Sequence, residues 1–222
     1  CAVPIGGSVG RDIMTRKSIT LRSRGFVDAV EKKGPIYRLI TILPIPLVFL
    51  VALWSEPTQS SLCRGGIFVF LGELIRLWSA GYLSGFQVSL QDAELVTWGP
   101  YGLVRNPCAW GTFLLALGFA VMSAWWLAYL LPICVVVIGI FYVIPVEESL
   151  LREEFGEAYE AYCQTVPSYL PGWQDLLRWL RESRGVGKNT HRFRGREAWR
   201  AEGSTLMFLM GVIAAMIIQW LF

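Results

Sequence analysis

The chain is 222 residues long, 54% hydrophobic and 17% charged, with a mean hydropathy of +0.47 and a formal net charge of +3. A soluble domain of this length is rarely so apolar, and because the hydrophobicity is gathered in blocks the composition reads as an integral membrane protein. The modest net charge gives no reason to expect nucleic acid among its partners. The five cysteines stand apart, without a CxxC spacing, and the single histidine, His191, lies in a polar basic stretch. A disulfide framework, a zinc site and a haem are therefore not expected, and no metal is. Neither a phosphate-binding GxxxxGK[ST] loop nor a GxSxG nucleophile turn is present.

Residues 1–35 carry seven Lys and Arg without an apolar run and read as a basic cytoplasmic arm lying near anionic headgroups. The remainder, 36–222, reads as one membrane domain. Its first span is expected over 36–54, kinked by Pro44 and Pro46, and its second over 66–85. Spans three and four, 110–127 and 129–146, form a hairpin around a tight turn near Trp125, Trp126 and Pro132; a fifth covers 205–222. Between the last two lies a helical segment, 147–204. Its first part, EESLLREEFGEAYEAYCQTV, sets Leu151, Phe155, Tyr159 and Tyr162 in one apolar stripe. Its second part, GWQDLLRWLRESR, pairs an apolar face of Trp173, Leu176, Leu177 and Leu180 with flanking arginines, which suits a helix lying on the inner membrane surface.

The fold class expected is an all-α polytopic membrane bundle of about five transmembrane helices. With the N-terminus cytoplasmic, the inside segments 1–35, 86–109 and 147–204 hold seven, one and nine Lys and Arg, against one in the outer loop 55–65. That asymmetry sets the expected orientation, in a bacterial inner membrane, with the bilayer itself as the first partner.

Three groups of residues stand out. Glu73 and Arg76 are three apart on one face of span two, where ionisable groups are costly unless paired or facing a polar cavity. Gly72, Gly81 and Gly85 beside them allow another helix or a ligand to approach closely. Glu147 and Glu148 follow span four; adjacent on a helix, they point about 100° apart, so one can face the bundle while the other meets water or Arg152. The third group is GPYGLVRNPCAWG (99–111), a cation, an amide and several helix breakers at the lip of an apolar run. Because the 110–146 hairpin returns to its starting side, Arg105, Asn106 and the 99–102 turn are expected beside the glutamate pair, around a polar nook.

At these residues the sequence resembles the isoprenylcysteine carboxyl methyltransferase-like family, in its broad bacterial form, with kinship to phospholipid N-methyltransferases. The matching pieces are LGELIRLWSAGYLSG (71–85), GPYGLVRNP with the WG that follows (99–111), and VEESLLREEFGEAYEAYCQTVPSYLP (146–171); REAWRA (196–201) is a weaker match. The resemblance implies a multi-span enzyme that binds S-adenosylmethionine at the cytoplasmic face and meets a lipophilic or small acceptor through the membrane. Carried over to this chain, Tyr101, Asn106, Pro107, Glu147 and Glu148 would contact the cofactor, and Arg105 or Arg76 would orient an acceptor carboxylate or phosphate. The family commonly has an aromatic two residues after the motif proline, where this chain has Ala109. A second expectation follows from that departure: a methyltransferase-like subunit without catalysis, serving a larger membrane complex through partner membrane proteins.

Overall fold

The computed structural model describes residues 44–83, 95–185 and 193–221. Among these the chain is helical, without a strand. The basic arm, residues 36–43 of the first span, Gly85 and His191 lie outside them.

Helix α1, Pro44–Leu53, precedes α2, Gln59–Leu83; α3, Pro107–Ser123, is followed by α4, Trp126–Phe155, then α5, Glu157–Thr165, α6, Trp173–Gly185, and α7, Gly195–Leu221. Helices α2, α4 and α7 are each long and apolar enough to cross a membrane, and α3, at 17 residues, is a shorter apolar helix. The all-α membrane bundle is as expected, although its elements begin and end elsewhere. Helix α2 starts seven residues before the expected span and α7 ten before its own. Helix α4 does not stop at residue 146 but runs on to Phe155, through a π turn at Gly139–Val143. Pro132 does not turn the chain; it is buried in the first turns of α4. The reversal passes through Ala124, at φ 52°, and an extended Trp125, with the Ser123 hydroxyl accepting from the Trp125 amide.

The expected single acidic helix is two. Gly156, at φ +51°, ends α4 and starts α5, a conformation that costs glycine little and other residues more. The stripe nonetheless packs as expected: Leu151, Phe155, Tyr159 and Tyr162 form one cluster with Leu95, Cys163 and Val166.

Antiparallel α2 and α3 make the most extensive pairing, and glycines set it. An added Cβ at Gly65 would lie 2.5 Å from the Gly118 carbonyl oxygen, and one at Gly72 2.7 Å from that of Gly111. The reciprocal positions are as tight, 2.8 Å in each case. Two glycines seven apart on each helix thus bring backbone against backbone, a contact that replaces the hydrophobic drive lipid cannot supply. Helix α7 closes over α2, and Val69, Leu115, Phe119, Leu209 and Met216 fill the space between.

Candidate functional site

Pro107 begins α3 at a position where its missing N–H costs nothing, and Asn106 before it is the N-cap. An asparagine there ordinarily accepts from the first-turn amides. Here the side chain makes no such bond. Its amide nitrogen instead reaches the Ser168 hydroxyl at 3.2 Å and the Glu148 carboxylate at 3.5 Å. Ser168 donates to the same Glu148 oxygen at 2.8 Å, and the Arg105 guanidinium stands 3.4 Å from it. Three segments 20 to 62 residues apart therefore converge on one carboxylate.

The helix breakers of the 99–102 turn are gripped from outside. The Tyr162 hydroxyl donates to the Tyr101 carbonyl at 2.6 Å, and the Trp179 indole donates to that of Gly99 at 2.7 Å. Gly99 holds φ +63°, and a Cβ there would meet the Tyr82 ring at 2.8 Å. The Arg105 amide bonds the Pro167 carbonyl at 2.9 Å, which ties the turn to the strap carrying Ser168. Burial pushes both the Tyr159 and Tyr162 phenols well above the ordinary value of 10.0, so both stay neutral, and Tyr162 keeps the proton it donates to Tyr101. For Tyr159 the Glu148 charge adds to the effect.

The geometry brings Arg105, Asn106, Pro107 and Glu148 together, with Tyr101 on the adjoining turn. It separates the glutamates: Glu148 faces the bundle, half-buried, while Glu147 is exposed on the next face. The expected i,i+4 partner of Glu148, Arg152, pairs instead with Glu160 across the Gly156 break, at 2.5 Å.

Arg76 lies deeper. It approaches Glu73 only to 3.9 Å, and its main partner is Glu202 on α7, at 2.6 Å, with a further donated bond to the Thr112 hydroxyl at 2.7 Å. Gly72 and Gly111 face each other across α2 and α3, four residues into α3, so this layer starts about 6 Å inside the Asn106 corner. The polar interior thus has two storeys.

Sequence reasoning missed Ser168, Tyr162 and Glu202. Ser168 gave no signal, being a neutral residue between prolines. Glu202 gave one: an acid just before an apolar run, in a chain whose second span carries an arginine.

The family model for phospholipid methyltransferase matches residues 61–158. The nickel-cobalt-cadmium resistance protein NccN of Alcaligenes xylosoxydans xylosoxydans is 28% identical over 137 residues, 60% of this chain and 61% of that protein. Probable protein-S-isoprenylcysteine O-methyltransferases of Oryza sativa, subspecies indica and japonica, are each 34% identical over 113 residues, 48% of this chain and 59% of theirs. The chain therefore spans about three fifths of the length of these curated relatives. No solved structure gives a significant match. The matched segment holds Arg76, Arg105, Asn106 and Glu148 and stops short of Ser168 and Glu202. Over that segment, a little under half of the chain, the sequence is similar to the phospholipid methyltransferase family and to protein-S-isoprenylcysteine O-methyltransferases.

Proposed function

We propose that the chain is an S-adenosylmethionine-dependent methyltransferase that holds its cofactor in the Asn106–Glu148 nook and takes a lipophilic or small acceptor, a carboxylate, thiol or headgroup amine. The observation that carries this reading is the convergence of Arg105, Asn106, Ser168 and Glu148 on one partly buried polar corner of an otherwise apolar bundle. The donor set suits the group. The Arg105 Nε–H is buried without a hydrogen-bond partner, a donor waiting for an anion such as the methionyl carboxylate. Glu148 offers a carboxylate for ribose hydroxyls or the methionyl ammonium, and Asn106 adds an amide. Tyr101, on the adjoining turn, and Pro107, the first residue of α3, would line the cofactor beside them, and Glu147 on the exposed face would attract positive charge to the entrance.

Bound there, S-adenosylmethionine would supply a methyl group made electrophilic by its sulfonium. The remaining task is alignment, and rigid placement of the two reactants is the main contribution a protein makes to such a displacement. The gripped 99–102 turn, fixed by Tyr162 and Trp179, supplies that rigidity. Arg105 is placed to orient an anionic acceptor, and Arg76, held by Glu202 and Thr112, lies beneath the nook. A carboxylate acceptor needs no base. An amine or thiol must lose its proton, and Glu148 is the carboxylate at hand.

The excess of Lys and Arg in 1–35 and 147–204 supports a nook that opens to the cytoplasm, where the cofactor is made available. Titration calorimetry of the purified chain with S-adenosylmethionine, followed by transfer of a labelled methyl to lipid extract, tests the reading. Saturable one-to-one binding is expected; a folded chain with no affinity for the cofactor overturns it.

A further inference from the structure

Between α2 and α7 runs a groove of about 600 Å³, closed at one end by Glu73 and lined by residues such as Gly66, Val69, Leu209, Met210 and Ile217. It lies beside the polar layer and extends away from the nook. From Glu73 to Gln59, fourteen residues along α2, it is about 21 Å long. Phe70 and Met210 on its rim are exposed, so it opens sideways, toward lipid. An added Cβ at Gly66 meets nothing within 4 Å, which marks true open space inside the groove.

Its closed end is chemically unfinished. The Glu73 side chain is 10% exposed, and both its carboxylate oxygens are buried without a hydrogen-bond partner. Among the described residues the cation beside it, Arg76, comes only to 3.9 Å and donates elsewhere: its Nε and one terminal nitrogen to Glu202 at 3.2 and 2.6 Å, and the other terminal nitrogen to Thr112. Among the described residues the layer therefore holds two carboxylates against one guanidinium. In a membrane interior an excess negative charge needs a counter-charge or a proton. A partner that ends in a cation and continues as an apolar chain satisfies both parts of the groove at once.

We propose that this groove is a binding site for a single-chain amphiphile with a protonated amine head, Glu73 being its counter-ion and the α2–α7 walls holding its tail. The site is separate from the Asn106–Glu148 nook and does not require methyl transfer.

The test uses the full chain in phosphatidylcholine nanodiscs without S-adenosylmethionine, and measures saturable binding of labelled hexadecylamine and of hexadecanol, its uncharged counterpart. Hexadecylamine is expected to bind more tightly than the alcohol. Glu73→Gln is expected to lower the amine's affinity about tenfold or more, the worth of a charge-assisted bond, while leaving the alcohol's unchanged. Gly66→Phe, which fills the groove without touching Glu73, is expected to weaken both. Equal affinities for amine and alcohol in the unmodified chain overturn the proposal, as does amine binding that survives Glu73→Gln. Should Glu73→Gln not fold, unaltered amine binding in Gly66→Phe overturns it alone. A negative result here leaves cofactor binding in the nook untouched, so the two readings fail separately.

Discussion

Asn106 occupies the N-cap of α3 without capping it, and that makes it a clean probe. Replacing a capping asparagine usually costs a helix about 1 kcal/mol. Here the amide serves Glu148 and Ser168 instead, so Asn106→Ala is expected to change thermal stability little. It should lower affinity for S-adenosylmethionine about tenfold, as read by calorimetry. An unaltered affinity would remove Asn106 from the site. Tyr162 gives a pH prediction. Its phenol titrates above 10.0 when folded and near 10.0 when unfolded, so the unfolded chain releases its proton first. Stability is then full below pH 10 and falls as pH rises above it. Tyr162→Phe should lose about 1 kcal/mol at neutral pH with the bond to Tyr101, and show a shallower alkaline decline. Chemical unfolding at pH 7, 9 and 10.5 measures both.

At the level of helices, the four-glycine seam between α2 and α3 is the feature least forgiving of change. Gly118→Val places a branched side chain against the Val69 side chain and, at 2.8 Å, the Gly65 carbonyl and Val69 amide, backbone that has no room to yield. Unfolding in mild detergent should show a loss of more than 3 kcal/mol or no folded protein at all. Gly211→Ala on α7, where nothing lies within 4 Å, should be neutral or slightly stabilising. The sequence announced much of this level. Blocks of apolar residues located α2, α3, α4 and α7, because burying a span in lipid demands an unbroken run. Boundaries were less legible. Helix α4 continues past residue 146 because a polar helix needs no lipid to persist, and Gly156 broke the acidic stretch through a backbone angle that composition does not encode. The Arg105–Asn106 and Glu148 meeting was legible because a hairpin must return to its origin. Ser168 and Tyr162 were not, since they join through a strap whose path depends on Pro167 and the Tyr159–Tyr162 cluster.

Across the whole molecule, charge is arranged in two storeys that use partners from distant parts of the chain. The Arg76–Glu202 pair joins α2 to α7 over 126 residues. Removing one partner of such a buried pair costs about 3–5 kcal/mol, most of it from the charge left behind. Arg76→Leu should therefore destabilise strongly, and the double change Arg76→Leu with Glu202→Leu should recover much of the loss. A double-mutant cycle by thermal unfolding reads this coupling, which a pair worth nothing would not show. The sequence suggested Glu73 as the partner of Arg76, since i,i+3 is the nearest spacing. The helix that brings Glu202 lies too far along the chain for any local pattern to announce it.

That long closure bears on how the protein is made. When α2 enters the bilayer, its arginine has no committed carboxylate, for Glu202 is the better part of the chain away from synthesis. The nascent segment must wait in a proteinaceous or hydrated setting until α7 arrives. Insertion machinery that releases helices one by one would strand it, whereas machinery that retains them together would let the last helix discharge the first debt.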